Sequence, residues 1–286
     1  MTTRAAGSPL RAGIIAAGRG SRLRAGMHTL KPLVPIAGRT LVERVLSSVA
    51  EAVPSEVVII VNEASLAVRD HVTSRRWPFA VRWVVETTPS SMHSFLRVLE
   101  ELAGDGDEGP FLMSTVDTIA APGAFASFAA SSRELDADVA LAVAQPGEDL
   151  KPLLARMTPG TSRIEALGDS VRLTASAEAA VAGRSGPRRP KPDAIGVTRA
   201  VPLFGDTGLQ PGGDVWATAG YYSVRPSVLR EASAARNDQL PALRAFFGRL
   251  LDRGYRLDGV PVACAIDVDR PPDVKAAEAF LKQAGA

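Results

Sequence analysis

A short segment near the start of the sequence combines glycines with cations in a pattern suited to binding phosphate groups. Residues 16–23 are Ala-Ala-Gly-Arg-Gly-Ser-Arg-Leu, and they follow an apolar run that predicts a β-strand. Glycine lets the backbone approach a ligand closely, and successive N–H groups in such a turn bind phosphate oxygens. Arg22 and, eight positions beyond Leu23, Lys31 supply positive charge. The segment therefore predicts an anion-binding loop at the carboxyl edge of a sheet.

Three well-known glycine loops do not match this segment. A dinucleotide-binding fingerprint needs glycine where Leu23 stands, and it opens a helix within a few residues, whereas we predict a long loop to about Pro35. A triphosphate P-loop needs Gly-Lys followed by Ser or Thr, which is absent. The sequence motifs of protein kinases are missing as well.

Carboxylates lie at the ends of two other predicted strands. Asp117 comes directly after the apolar run 111–116, and Asp267 and Asp269 lie just before the last predicted helix. The later two are two positions apart, so they share a face in an extended strand. Mg²⁺ is usually held by one or two carboxylates with phosphate oxygens and water, and no His cluster or Cys pair in the sequence indicates zinc. A carboxylate at the end of a strand, such as Asp117, suits either such a metal or a turn, and Asp273 is predicted to cap the last helix.

The amino-acid composition excludes several classes of protein. Of the 286 residues, 46% are hydrophobic and 22% charged, an ordinary globular mixture. The formal net charge of +2 argues against nucleic acid or membrane as a partner, and no apolar run approaches the roughly 18 residues of a membrane helix. The only cysteine, Cys264, lies in an apolar run and is predicted to be a core residue. With no apolar segment in residues 1–9, we expect a reducing cytoplasmic location without disulfides.

The charges are unevenly distributed along the sequence. Up to position 44 there are eight basic residues and a single acidic one, Glu43. The near-zero charge of the whole chain therefore conceals a basic opening segment, and we predict that this segment, as far as Arg44, faces an anionic ligand.

Short apolar runs alternate with longer segments of helical period, which is typical of a mainly parallel sheet flanked by helices. Strands are predicted at residues 12–17, 56–61, 80–85, 111–116, 138–144, 217–224 and 260–268. Helices are predicted at residues 63–74, 91–103, 122–132, 226–235 and 239–253, with two more that begin at Thr40 and Pro271. The predicted fold class is α/β, a Rossmann-like three-layer α/β/α sandwich.

The domain organisation is predicted to be simple. Residues 1–10 form a flexible N-terminus, and residues 11–286 form one domain. Between about 147 and 213 the sequence is rich in Pro, Gly and Arg, and the regular alternation stops. Because a structureless loop of that length is unusual, we expect an irregular insertion with a few strands that forms one wall of a site.

Several motifs together resemble the nucleotidyltransferase superfamily, which has a GT-A-like fold and includes the MobA-like NTP transferase domain. Residues 16–23 and 31–38 resemble its signature of Ala-Ala-Gly-x-Gly-x-Arg-Leu, a spacer and Pro-Lys-Pro-Leu, although Leu30 stands where the superfamily usually has proline before the lysine. Residues 265–273 resemble its Asp-x-Asp-Thr-Pro-Glu-Asp segment, and residues 218–224 its Ala-Gly-x-Tyr strand.

The resemblance implies a role for each motif. The nucleotide is expected to bind to Ala16, Ala17, Gly18, Gly20, Ser21, Arg22, Ser90 and Ser91. The catalytic cations that neutralise phosphates are expected to be Arg22 and Lys31. Mg²⁺ is expected to bind to Asp117 and to Asp267, Asp269 or both. The acceptor is expected to contact Gly220 and Tyr221. Outside these motifs, the charge of Lys191 in the Pro-rich stretch makes it a candidate contact for the acceptor phosphate.

The implied reaction is the Mg²⁺-dependent transfer of a nucleoside monophosphate from an NTP, with CTP favoured, to a phosphorylated small molecule with release of pyrophosphate. The acceptor is expected to be a sugar 1-phosphate or a phosphorylated polyol or alcohol. Three alternatives stay open: a molybdopterin-type nucleotidyltransferase, a GT-A glycosyltransferase that uses a nucleotide sugar, and a non-catalytic nucleotide sensor. A glycosyltransferase usually has its Asp-x-Asp pair mid-chain, whereas here the pair lies at Asp267 and Asp269.

Overall fold

A nine-stranded sheet lies at the centre of the structure. The computed structural model describes residues 9–18, 20–27, 29–104, 106–146, 153–168 and 215–285. The strands of these residues are β1 (Arg11–Ile15), β2 (Pro35–Ile36), β3 (Arg39–Thr40), β4 (Glu56–Val61), β5 (Ala80–Val85), β6 (Phe111–Thr115), β7 (Thr118–Ala120), β8 (Val139–Ala144), β9 (Leu154–Met157), β10 (Ile164–Gly168), β11 (Val215–Val224), β12 (Leu257–Pro261) and β13 (Ala265–Asp267).

Helices connect most of these strands. The α-helices of the described residues are α1 (Ser21–Met27), α2 (Leu41–Glu51), α3 (Leu66–Thr73), α4 (Ser91–Ala103), α5 (Ala124–Arg133), α6 (Ala232–Asn237), α7 (Leu243–Asp252) and α8 (Pro271–Gln283). Short 3₁₀ helices cover Lys31–Leu33, Glu63–Ser65 and Pro226–Glu231. No helix in the described part of the chain has the length and apolar character that crossing a bilayer would require.

The strand order confirms a mainly parallel sheet. Strands β5, β4, β1 and β6 lie side by side and are parallel, and β12 is parallel to β8. The long strand β11 runs antiparallel to its neighbours β6 and β8 and joins the two parallel groups. Strands such as β4 and β8 consist almost entirely of buried apolar residues, as expected of strands covered by helices on both faces.

Two apolar layers lie on opposite faces of the sheet. On one face, Phe95 of α4 and Phe246 of α7 pack against the sheet. On the other face, Val45 of α2 and Phe128 of α5 do the same. The layers confirm the predicted three-layer α/β/α arrangement, and α2 begins as predicted with a capping box between Thr40 and Glu43.

Two local predictions are wrong. Residues 21–27 form helix α1 rather than a loop, because Leu23 is buried against Ala277 and Leu281 of α8, a contact that local sequence does not reveal. The single strand predicted at residues 260–268 is two strands: β12 pairs with β8, whereas β13 leaves the main sheet and pairs with β7.

The predicted insertion lies only partly within the described residues. Strands β9 and β10 form an antiparallel pair, and β9 also pairs with β11. Residues 147–152 and 169–214, which include Lys191, lie outside the described residues, as do residues 1–8. The limits and role of the insertion, like the flexible N-terminus, stay predictions.

Gly13 in β1 offers a test of how closely α4 packs on the sheet. A methyl group at this position would overlap the Val98 side chain and lie 2.7 Å from the Met113 sulfur. We expect Gly13→Ala to lower the free energy of unfolding by about 1–3 kcal/mol, as overpacked core substitutions do. Chemical denaturation followed by circular dichroism measures the change.

Gly248→Ala is the matched control, because Gly248 lies within α7 with no atom in the way of an added methyl group. Alanine has the higher helix propensity, so this variant should be as stable as the wild type or more stable. Equal stabilities for Gly13→Ala and the wild type would contradict the packing described here.

Candidate active site

A cavity of about 780 Å³ lies where β1 and β6 end, at the carboxyl edge of the parallel sheet. Most of the residues predicted to bind the nucleotide and its metal line it, and these are Ala17, Gly18, Gly20, Ser21, Arg22, Lys31, Ser90, Ser91, Asp117 and Asp269. Ala16 does not belong to the lining: it is 1% exposed, and its N–H donates to the Ile60 carbonyl at 3.0 Å.

The glycine loop packs directly on Lys31. Gly20 has a φ of +57°, and a Cβ at this position would lie 2.6 Å from Lys31 Cβ. The loop therefore needs glycine here for both conformation and space. Helix α1 starts at the next residue and presents exposed Arg22 to the cavity, while Leu23 is fully buried.

The Lys31 ammonium lies between two carboxylates from distant parts of the chain. Lys31 Nζ lies 2.6 Å from Asp117 Oδ2 and forms a second ion pair with Asp269 Oδ1. Burial alone would lower the pKa of Lys31, but the two carboxylates outweigh burial and raise it above its ordinary value. Lys31 therefore brings a positive charge to the centre of the site.

Backbone pairing brings these carboxylates together. Asp117 follows β6, and its carbonyl accepts a 2.9 Å hydrogen bond from the N–H of Val268. The adjacent strands β7 and β13 pair antiparallel, with Asp267 opposite Thr118. Asp273 Oδ2 accepts a hydrogen bond of 2.8 Å from the backbone N–H of Asp269. The residue predicted to cap the last helix therefore also fixes the backbone at Asp269.

Two threonines that the sequence analysis did not single out connect the carboxylates to β11. Thr118 Oγ1 donates to Asp267 Oδ1 at 3.2 Å, and Thr115 Oγ1 lies 2.9 Å from Thr118 Oγ1 and 3.3 Å from the Gly220 carbonyl oxygen. Gly220 has a φ of +68°, and a Cβ there would overlap Thr118 Oγ1 and lie 3.1 Å from Asp267 Oδ1. Their positions on either side of Asp117 are the one feature of the sequence that could have identified these two threonines.

The donor atoms around Lys31 suit a hard cation. Mg²⁺ usually takes one or two carboxylates and completes its coordination with phosphate oxygens and water. The described residues contain no group of three or more His, Cys, Asp or Glu side chains placed to hold a metal by themselves. Asp117, Asp267 and Asp269 supply carboxylate oxygens of the right kind for a metal that arrives with a phosphorylated substrate.

A second cavity of about 270 Å³ adjoins the first. Both are lined by Ser91, Thr115, Asp117 and Asp269. One face of β11, with Gly220 among its residues, also lines the second cavity. The site thus has a larger and a smaller compartment that meet at the carboxylates.

Tyr221 does not contact this second cavity. Its ring is fully buried on the other face of the sheet, stacked on Phe125 at a centroid distance of 4.3 Å. Adjacent residues of a strand point to opposite faces, so Tyr222 lines the cavity instead. Burial, with the Asp267 and Asp117 carboxylates, raises the pKa of Tyr222, so its hydroxyl stays protonated.

The serines at the start of α4 make specific contacts instead of capping the helix with their side chains. Ser90 Oγ lies 2.9 Å from His93 Nδ1. Ser91 Oγ accepts a hydrogen bond of 3.1 Å from the N–H of Leu243 in α7. Thr88 Oγ1, one of the other hydroxyls in this part of the cavity, lies 2.5 Å from Ser94 Oγ. The predicted nucleotide-binding segment therefore also connects α4 to α7.

The basic opening segment does not face one ligand as a unit. Arg22 and Lys31 line the large cavity, but Arg11 pairs with Glu56 at 2.8 Å. Arg39 and Arg44 line a separate cavity of about 190 Å³ that also contains Ser47, Ser48 and Glu51. The prediction that the basic segment faces the substrate as far as Arg44 is therefore wrong for these arginines.

Comparison with known proteins gives matches both in sequence and in structure. The sequence is 30% identical to the bifunctional protein GlmU of Enterococcus faecalis over 105 residues, which is 37% of this chain. It is 34% identical to the CMP-5'-(3-aminopropyl)phosphonate synthase of Streptomyces rubellomurinus over 91 residues, which is 32% of this chain. The chain spans 21% and 14% of these relatives.

The fold as a whole matches that of the inositol-1-phosphate CTP transferase from T. maritima. The TM-score is 0.67 at 16% identity, with 97% of this chain and 98% of that chain covered. The family model of the MobA-like NTP transferase domain matches residues 12–185, which is more than half of the sequence and includes the glycine loop, Lys31 and Asp117. The chain therefore belongs to the family of MobA-like NTP transferase domains.

Proposed function

We propose that the protein transfers a nucleoside monophosphate from an NTP to a phosphorylated small molecule and releases pyrophosphate. The observation that carries the proposal is the meeting of two cavities at the charged group Asp117, Lys31 and Asp269. A transfer between two bound substrates needs two compartments with a shared boundary, and the reacting phosphates are expected at that boundary.

The larger cavity suits the triphosphate donor. Both reactants are anions, so the site must offset their mutual repulsion and the charge that develops in the transition state. Arg22 is exposed to the cavity, and Lys31 lies beside the boundary. In this proposal both side chains neutralise phosphate oxygens, and the backbone of Gly18 and Gly20 lies against the nucleotide.

We propose that Mg²⁺ is bound by Asp117 and by Asp267 or Asp269. The metal, when bound, supplies positive charge to the triphosphate oxygens and helps to orient them. Lys31 forms ion pairs with Asp117 and Asp269 and so adds positive charge beside these carboxylates. Thr118 holds the Asp267 carboxylate through its hydroxyl, which restricts where that carboxylate can point.

The names of two of the similar proteins are the reason to propose CTP as the donor. The structural neighbour from T. maritima is an inositol-1-phosphate CTP transferase, and the relative from S. rubellomurinus is a CMP-5'-(3-aminopropyl)phosphonate synthase. We therefore propose that a phosphorylated polyol or alcohol, or a phosphonate, is the acceptor. One alternative acceptor to test is a sugar 1-phosphate. The alternative functions are transfer to a molybdopterin, transfer from a nucleotide sugar and non-catalytic nucleotide sensing. The cytoplasmic location stays a prediction.

A substrate screen tests the reaction directly. The protein is incubated with CTP, UTP, GTP, ATP or dTTP, each with Mg²⁺ and a panel of phosphorylated acceptors, and pyrophosphate is measured. We expect release that requires both substrates and Mg²⁺ and is fastest with CTP. The favoured NTP should also raise the melting temperature, because a ligand that binds only the native state stabilises it. Absence of pyrophosphate with every pair, or turnover of nucleotide sugars alone, would overturn the proposal.

Asp117→Asn tests the role of the shared boundary. The substitution keeps the size of the side chain but removes the negative charge that faces Lys31. We expect kcat/KM to fall by about 10²- to 10³-fold, the loss typical of removing one electrostatic group from a reaction centre. Asp70→Asn is the matched control, because its carboxyl group is 69% exposed on α3 and lines neither cavity. If Asp117→Asn folds normally and keeps full activity, Asp117 has no part in the reaction.

A further inference from the structure

The smaller cavity has a wall to which the sequence analysis assigned no role. The first residues of α7 form this wall, and Arg244 and Phe247 contribute to it. Three alternate residues of β11, namely Thr218, Gly220 and Tyr222, line the cavity beside it. Among the described lining residues Arg244 is the one cation, and Asp117, Asp267 and Asp269 are the anions.

Two anchors hold the backbone of α7 on either side of Arg244. The N–H of Leu243 donates to Ser91 Oγ at 3.1 Å, which connects the start of α7 to the boundary of the two cavities. The Phe247 ring packs against Tyr222 at a centroid distance of 5.0 Å. Leu243 and Phe247 are both buried, whereas Arg244 is exposed. The structure thus holds a solvated guanidinium beside the cavity on a well-packed helix.

The charges around the cavity make this guanidinium a candidate binding group for an anionic acceptor. The aspartates of the lining are the proposed metal ligands, and Lys31, which pairs with Asp117 and Asp269, lines the larger cavity and not the smaller one. Within the described part of the chain, Arg244 forms no ion pair. Arginine binds phosphate with two parallel N–H···O hydrogen bonds and remains charged at any working pH.

We propose that Arg244 binds the phosphate or phosphonate group of the acceptor and so determines the enzyme's preference for an anionic acceptor. This inference rests on the proposed function. Arg244 supplies positive charge to the incoming anion, and it orients the phosphate or phosphonate group in the smaller cavity. It does not contact the NTP, because it does not belong to the lining of the larger cavity. Its removal therefore affects one substrate and not the other.

Steady-state kinetics of wild type, Arg244→Gln and Arg244→Lys test this assignment, with the NTP and acceptor that give pyrophosphate in the screen. We expect Arg244→Gln to raise the KM for the acceptor by about 10- to 100-fold, the loss expected for a charge-assisted hydrogen bond, and to leave the KM for the NTP within about twofold. Arg244→Lys keeps the charge but loses the paired donors, so its acceptor KM should lie between the other two. Added salt should raise the acceptor KM more in the wild type than in Arg244→Gln.

Arg253→Gln is the matched control, since its side chain is 60% exposed just after α7 and lines neither cavity. It should leave both KM values unchanged. An active Arg244→Gln enzyme with an unchanged acceptor KM, or with both KM values raised equally, would overturn the assignment of Arg244 and leave the proposed function standing. A wild type without turnover on any substrate pair would overturn both.

Discussion

The charge of Lys31 is the constraint on which the architecture of the site depends. Its side chain is only 12% exposed, and a buried ammonium is stable only when opposite charges and hydrogen bonds surround it. Asp117 and Asp269 supply those charges from positions 86 and 238 residues further along the chain. The β7–β13 pair and the hydrogen bond from Val268 to the Asp117 carbonyl hold the carboxylates, while Gly20 leaves room for the lysine stem.

Much of the fold and part of the site follow from local sequence. The alternation of apolar runs with helical segments is a local pattern, and it predicts the parallel sheet and its two helical layers. Each strand end is local too, so the sequence places both the glycine loop and Asp117 directly after strands, although the pairing of β1 with β6 that brings them together is a tertiary feature. The roles of Lys31 and Asp269 were assigned through the resemblance to the nucleotidyltransferases, because no local pattern specifies that these two side chains contact each other.

The errors arise where tertiary contacts decide between local alternatives. Tyr221 and Tyr222 are identical in type, and only the pairing of β11 determines which ring packs on Phe125 and which lines the cavity. Helix α1 is short and contains glycine, so its packing on α8 rather than its propensity explains why it forms. The clustering of arginines along the sequence likewise does not predict which cavity each side chain lines: Arg22 lines the larger cavity of the site, and Arg39 lines a different one.

Helix α8 contacts both halves of the site. Ala277 and Leu281 pack against Leu23, whose helix presents Arg22 to the larger cavity, and Asp273 holds the N–H of Asp269. The glycine-loop helix and the second carboxylate are therefore mechanically linked through one rigid element. A substitution that loosens the packing of α8 would therefore disturb the helix of Arg22 and the backbone at Asp269 together, so a single defect far from the cavities would reach both sides of the site.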